Sequence, residues 1–226
     1  MAKYRLVSFK ICPWVQRAAI VLREKKVEFE FVHIESGSRP EWFAAISPHG
    51  KVPVLRIDER IALFESNAIA EYLDDTIQPR LHPEDPIVRA VNRAWTDYIP
   101  TLSSVLGAVG SATTDEALAS ARDAVSNAFA RIEEALKKQG NGPYFNGDRY
   151  ALVDAGYAPF LQRYLIVEEL AGEPPLTLKF SRIRQWAEAL VGRPTTHSFP
   201  PEVFRALYLD GLKRRGGLIA RQALSA

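Results

Sequence analysis

Hydrophobic and polar positions follow two different periods in the first third of the chain. Short apolar runs predict four strands, at 4–9, 27–33, 52–57 and 61–64. Apolar residues spaced three and four apart predict helices at 13–26, 39–46 and from 66 onward. The helix between the first two strands favours a parallel pair, and the short charged turn 58–60 favours an antiparallel hairpin. These elements predict a compact α/β domain.

The remainder of the chain has a helical period throughout. Residues 76–86 contain three prolines and predict a linker. Helices are expected to begin at Asp85 and Asp115 and to cover 152–170 and 180–191. The stretch 98–114 carries no charge but contains proline and glycine, which favours a buried helix with a loop over a membrane span. We therefore predict an α/β domain over 1–78 and an all-α domain over 86–226.

Composition and charge narrow the range of partners. At 226 residues and 47% hydrophobic, the chain can bury a full core. Its net charge is only +2, and positive and negative residues are spread along the sequence, which argues against nucleic acid as the main ligand. The four histidines lie far apart and form no metal-binding motif, so no metal site is expected. One cysteine excludes a disulfide framework, and no secretory signal is evident, so we expect a cytoplasmic protein.

The single cysteine, Cys12, lies where a predicted strand turns into a predicted helix. Pro13 favours the first helical position, which makes Cys12 the expected N-cap, next to unpaired N–H groups and the positive helix end. Such surroundings favour the thiolate over a thiol whose usual pKa is about 8.5. Val15 stands where a Cys-x-x-Cys pair would have its second cysteine, so an external thiol must resolve any mixed disulfide. On position alone, Cys12 also fits a small buried apolar residue.

Several short segments form a more specific combined pattern. They are Cys12-Pro13-Trp14-Val15-Gln16-Arg17, Arg39-Pro40-Glu41-Trp42-Phe43, Pro48 with Gly50-Lys51-Val52-Pro53-Val54-Leu55, Glu65-Ser66, and Glu71-Tyr72-Leu73. Together they resemble the cytosolic glutathione transferases, and among these the cysteine-bearing omega-type members. The resemblance is specific over 4–85 and generic beyond. One departure is Ala151, where the family usually has Ser or Thr three residues before Asp154, so half of a helix capping box is expected to be missing.

The resemblance implies a thioredoxin-like first domain, an all-helical second domain and a homodimer. It also implies glutathione as cosubstrate and Cys12 as the catalytic nucleophile. The implied glutathione-binding residues are Trp14, Arg39, Lys51, Val52, Pro53, Glu65 and Ser66. The bond before Pro53 would be cis, and the Val52 backbone would pair with the cysteinyl unit.

Each implied binding role has a structural alternative. Ser66, predicted to cap a helix, and Glu65 would hold the γ-glutamyl carboxylate and ammonium, although a serine there also fits a helix cap alone. Arg39 and Lys51 would meet the glycyl carboxylate, or be solvated surface residues. Val52-Pro53 alone would fit a strand start at a turn.

The implied activity is glutathione-dependent thiol transfer, with reduction of dehydroascorbate, mixed disulfides or glutathionyl adducts. Two alternatives stay open: a non-enzymatic relative resembling stringent starvation or intracellular chloride channel proteins, and a glutathione-dependent dehalogenase or isomerase. A dyad of Cys12 with His49 is a further possibility, but a loop histidine more often faces solvent. Four aromatic residues at helical spacing are expected in the core rather than at a substrate: Trp95, Tyr98, Phe160 and Tyr164. The resemblance also makes Trp95 and Tyr98 weaker candidates for lining the cosubstrate cleft.

Overall fold

The computed structural model describes residues 3–58, 60–171 and 174–225, with side chains to residue 221. The chain divides into two compact units, Met1–Pro83 and Glu84–Ala226. The predicted turn 58–60 includes Glu59, which lies outside the described residues. No helix in the described ranges combines the length and apolar character needed to cross a membrane.

In its described residues, the first unit holds a four-stranded mixed sheet and three helices. The strands are β1 (Tyr4–Ser8), β2 (Phe29–His33), β3 (Val54–Ile57) and β4 (Ile61–Phe64), and the helices are α1 (Pro13–Glu24), α2 (Glu41–Ile46) and α3 (Ser66–Thr76). The sheet order is β2-β1-β3-β4. The β1–β2 pair is parallel and the β3–β4 pair antiparallel, as the connection lengths predicted. The structure adds that β3 also pairs antiparallel with β1.

The core of the first unit lies between the sheet and the α1–α3 pair. Leu6 of β1 and Leu55 of β3 are fully buried, and so are Ile20 of α1 and Ile69 of α3. These apolar positions recur at the spacings that predicted β1, β3, α1 and α3, so these four elements supply the apolar residues of the core.

A buried ion pair fixes the end of α3 and the chain that follows it. Lys25 Nζ lies 2.7 Å from Asp74 Oδ1, and both side chains are 1% exposed. The ammonium also donates to the carbonyls of Ile77 and Pro79 at 2.7 and 2.5 Å. Both oxygens of Asp74 are used, because Oδ1 also accepts from the Leu81 N–H at 2.6 Å and Oδ2 accepts from the His82 N–H at 3.1 Å. Both charges are therefore saturated with hydrogen bonds, as burial requires.

The second unit is helical in its described residues. Its α-helices are α4 (Pro86–Asp97), α5 (Ile99–Ser111), α6 (Asp115–Lys138), α7 (Leu152–Leu170), α8 (Ser181–Gly192), α9 (Pro201–Arg215) and α10 (Leu218–Ser225). Short 3₁₀ helices cover Leu176–Lys179 and Pro194–Thr196. The uncharged stretch forms α5, where Ile99 and Leu102 are fully buried. The predicted helix is confirmed, but it is buried along one face only, since Pro100, Ser104 and Gly107 are exposed.

Asp154 anchors the start of α7 and the centre of this unit. Its carboxylate accepts hydrogen bonds from the N–H of Ala151 at 2.7 Å, the N–H of Phe145 at 2.9 Å and Trp186 Nε1 at 2.6 Å. Ala151, the N-cap, has no side-chain oxygen to return the bond, so half of the capping box is present, as predicted. Burial raises the pKa of Asp154 from 3.8 to about 6, and these donors oppose the shift.

Candidate functional site

Cys12 is the N-cap of α1, as its sequence position predicted. Its backbone is extended, with φ −71° and ψ 123°, and Pro13 occupies the first turn. The first turn carries no acidic residue, and the cysteine is partly exposed. The thiol therefore lies at the positive end of a 12-residue helix, with no carboxylate in that turn to offset the helix dipole.

A short loop before β3 is closed by hydrogen bonds at both ends. Ser47 Oγ accepts from the Lys51 N–H at 2.9 Å and donates to the Lys51 carbonyl at 2.8 Å. Within the loop, the Gly50 N–H donates to the Ser47 carbonyl at 2.9 Å, and Gly50 has φ +59°. These bonds hold residues 47–51, which we call the Ser47–Lys51 loop, in one compact turn.

Arg39 braces this loop from outside. Its Nη1 donates to the Gly50 carbonyl at 2.5 Å, and its guanidinium lies 5.9 Å from the centre of the Phe9 ring. The Phe9 carbonyl in turn accepts from the Cys12 N–H at 3.4 Å. A chain of contacts thus joins the cysteine turn, Arg39 and the Ser47–Lys51 loop.

The peptide bond between Val52 and Pro53 is cis, which confirms the prediction from the sequence. The strand ladders of β3 begin at Val54, so Val52 lies outside them. The Val52 side chain is buried while Lys51 is exposed. The buried Val52 side chain therefore anchors the chain just before β3, where the backbone is not yet paired in the sheet.

The start of α3 corrects one prediction. Ser66 was expected to be the N-cap, but the N-cap is Glu65 and Ser66 is the first helical residue, 6% exposed. The reason is local: the Ile69 N–H donates to the Glu65 carbonyl at 3.0 Å, so the helical ladder starts one residue earlier. Glu65 has φ +66° and ψ 119°, a conformation that costs a non-glycine residue about 1–3 kcal/mol and is common at functional sites.

His49 joins the loop to the start of α3. Its Nδ1 lies 3.1 Å from Glu65 Oε1, and both side chains are more than half exposed. The ring also meets Phe64 edge to face, with centroids 5.5 Å apart. The described contacts of His49 are with these two residues, whereas sequence reasoning considered it only as a partner of Cys12. The 16-residue separation from Glu65 gave no signal in the sequence.

Five of the predicted site residues lie in two groups, and one side-chain contact connects the groups. Lys51, Val52 and Pro53 share the turn before β3, and Glu65 and Ser66 share the start of α3. The His49–Glu65 contact connects the groups. Trp14 is the second residue of α1 and is half-buried.

The aromatic residues predicted to be core belong to the second unit. Phe160 and Tyr164 are buried, as predicted. Trp95 and Tyr98 are only half-buried and meet edge to face at 5.6 Å. The Trp95 carbonyl accepts from the Tyr157 hydroxyl at 2.7 Å, which ties α4 to α7. Across the residues with described placement, no three His, Cys, Asp or Glu side chains are grouped to hold a metal ion.

Comparison with known proteins gives matches over both units. The family model described as "Glutathione S-transferase, N-terminal domain" matches residues 6–80, and "Glutathione S-transferase, C-terminal domain" matches 115–189. The chain is 33% identical to glutathione S-transferase U17 of Arabidopsis thaliana, over 88% of this chain and 90% of that protein. It is 30% identical to glutathione S-transferase omega-2 of Rattus norvegicus, over 80% and 75%.

A solved structure agrees with these sequence matches. The rice protein OsGSTU1, crystallised in complex with glutathione, superposes with a TM-score of 0.80 and 25% identity, covering 94% of this chain and 97% of that chain. The similarity therefore extends over nearly the full length of both chains.

Proposed function

Because this chain belongs to the glutathione S-transferase family, we propose that it binds glutathione in its first unit and transfers thiol groups through Cys12. The observation that carries the proposal is the position of the thiol at the N-cap of α1. Helix N-termini stabilise the thiolate, which is the nucleophilic form. The position supports a reacting sulfur rather than a packing residue, since Cys12 is also partly exposed.

The glutathione backbone pairs with the turn before β3. The position of Val52 outside the strand ladders supports pairing of its N–H and C=O with the cysteinyl unit, as an added strand would pair. Lys51 ends the Ser47–Lys51 loop, and Arg39 binds that loop through the Gly50 carbonyl. The two side chains supply positive charge for the glycyl carboxylate. One Arg39 nitrogen is used on Gly50, so the remaining guanidinium donors serve the ligand.

The γ-glutamyl end of glutathione takes the start of α3. Its carboxylate accepts from Ser66 and from N–H groups of the first helical turn, where the helix dipole is positive. Its ammonium pairs with the Glu65 carboxylate. The left-handed backbone of Glu65 supports this role, because strained residues persist where the site requires them.

The transfer proceeds in two balanced exchanges. The Cys12 thiolate attacks the glutathionyl sulfur of a mixed disulfide, so a Cys12–glutathione disulfide forms and the substrate leaves as a thiolate that takes a proton from water. A second glutathione, as thiolate, attacks that disulfide, which releases oxidised glutathione and restores the Cys12 thiolate. The second thiol must come from outside because the chain has one cysteine.

The remaining expectations from the sequence stay part of this proposal. A homodimer is proposed from the family resemblance. A cytoplasmic location is proposed because glutathione is kept reduced there.

The test replaces the sulfur and nothing else. Cys12→Ser should lower the rate of reduction of a glutathionylated peptide by at least about 100-fold, because a hydroxyl cannot form the mixed disulfide. The same variant should still be retained on immobilised glutathione, since the binding residues are intact. Unchanged reduction by the variant would refute Cys12 as nucleophile, and failure of the wild type to be retained would refute the glutathione site.

A further inference from the structure

We infer that His49 is a positioning residue, which orients the Glu65 carboxylate toward the ammonium group of glutathione. The inference rests on the proposed function and adds a residue that neither the sequence pattern nor the family resemblance assigned to the site. It starts from one contact, the 3.1 Å approach of His49 Nδ1 to Glu65 Oε1.

The direction of this hydrogen bond follows from its acceptor. An ionised carboxylate has only acceptor sites, so Nδ1 must carry the hydrogen and donate it. His49 therefore uses one oxygen of Glu65. The other oxygen is left for a cationic partner, and the ammonium of a γ-glutamyl group has this charge.

The loop that carries His49 is fixed by hydrogen bonds on both sides of it, and the ring itself contacts Phe64. It lies inside the Ser47–Lys51 loop, whose ends are closed by the Ser47 hydroxyl at 2.9 and 2.8 Å. Arg39 fixes the Gly50 carbonyl directly after it. The ring meets Phe64, the residue before Glu65, in an edge-to-face contact with centroids 5.5 Å apart. His49 is thus a preorganised donor, and a donor fixed in advance loses little entropy when the ligand binds.

The exposure of the pair argues for orientation rather than for stability. The two side chains are 55% and 57% exposed, and ion pairs at such positions contribute little to the free energy of unfolding. Glu65 itself has an unfavourable backbone conformation at φ +66°. This conformation persists where a site requires it. The hydrogen bond from His49 then gives the Glu65 carboxylate a defined direction.

The experiment compares two ligands on three proteins. S-methylglutathione carries the ammonium group, and its analogue with hydrogen in place of that group does not. Affinities are measured by calorimetry for the wild type, His49→Leu, which removes the donor, and His49→Asn, whose amide nitrogen stands close to the Nδ1 position. His33→Leu, at an exposed histidine on β2, serves as the matched control.

We expect His49→Leu to bind S-methylglutathione about threefold to tenfold more weakly, the range typical of one partly exposed charge-assisted hydrogen bond. The analogue without the ammonium should lose no affinity, His49→Asn should restore most of the loss, and His33→Leu should match the wild type. The melting temperature should not change in any variant.

Each other outcome has a defined meaning. If His49→Leu leaves both affinities unchanged, or weakens both ligands equally, His49 does not act through the ammonium contact and the inference is overturned. If the wild type binds neither ligand, the proposed glutathione site fails first. The two failures are therefore distinguishable.

Discussion

Arg39 donates a hydrogen bond to the carbonyl of Gly50 at 2.5 Å, and a Cβ added at Gly50 would lie 3.0 Å from the same guanidinium nitrogen. The glycine also has φ +59°, a conformation that side chains rarely adopt. The brace and the glycine therefore depend on each other, and together they fix the Ser47–Lys51 loop. This loop precedes Val52, the proposed backbone partner of glutathione.

Replacing Gly50 should disturb both the loop and the ligand site. Gly50→Ala is expected to lower the free energy of unfolding by about 1 kcal/mol because of the positive φ. It should also raise the KM for glutathione, since the new Cβ displaces Arg39. Chemical unfolding and steady-state kinetics check the two effects. Gly37→Ala is the control, because an added Cβ there meets nothing within 4 Å, and equal behaviour of the two variants would contradict the prediction.

Loss of one charge from the buried Lys25–Asp74 pair should lower the free energy of unfolding far more than the same loss from the neighbouring exposed pair, Asp75–Arg80. Asp74→Ala leaves a buried ammonium without its counter-charge, which we expect to cost about 3–5 kcal/mol in chemical unfolding. Asp75→Ala removes the next carboxylate along α3, which pairs with Arg80 at 3.3 Å with both side chains exposed. That change should stay within about 0.5 kcal/mol. Similar losses for both variants would show that burial does not determine the cost.

Asp154 should make stability depend on pH in a defined direction. Its pKa is about 6 in the folded state against 3.8 as the ordinary value. The folded protein therefore binds a proton more tightly than the unfolded chain, and stability from this group falls as pH rises from about 4 to about 6. The full change is about 3 kcal/mol at most. Above about pH 7 the contribution should be constant.

The measurement compares wild type with Asp154→Asn in urea at pH 4, 5, 6 and 7. The variant does not titrate. Its amide nitrogen faces the Ala151 N–H, which donates a hydrogen bond to the carboxylate in the wild type, so the variant is expected to be less stable. Its stability deficit should be largest at pH 4 and shrink toward pH 6. A deficit that grows with pH would mean that the three donors outweigh burial and that the carboxylate is favoured in its charged form.

Elements defined by local pattern could be predicted from the sequence. Helix α7 has the predicted bounds, 152–170. Both signals for it are local, because Asp154 and the apolar run lie within the helix itself. The β1–β2 and β3–β4 pairings followed from connection length. By contrast, β1 ends at Ser8 rather than Phe9, and the N-cap of α3 moved by one residue to Glu65. Element ends depend on single hydrogen bonds that no periodicity encodes.

The candidate site divides in the same way. Cys12 was recognisable because Pro13 marks the start of the helix after it, whereas Val52 and Pro53 were implied only by the family resemblance. The His49–Glu65 contact joins residues 16 apart and depends on the shape of a loop, so a single sequence gives no period or motif for it. The Lys25–Asp74 pair joins residues 49 apart in the chain, and only the fold places Asp74 beside Lys25.

The proposed role of Cys12 is tested most directly by intact mass after incubation with oxidised glutathione. The chain has one cysteine, so the wild type should gain the mass of one glutathionyl group and lose it again when reduced glutathione is added. Cys12→Ser should gain nothing under the same conditions. A wild-type protein that stays unmodified would contradict the claim that this thiol reacts with bound glutathione.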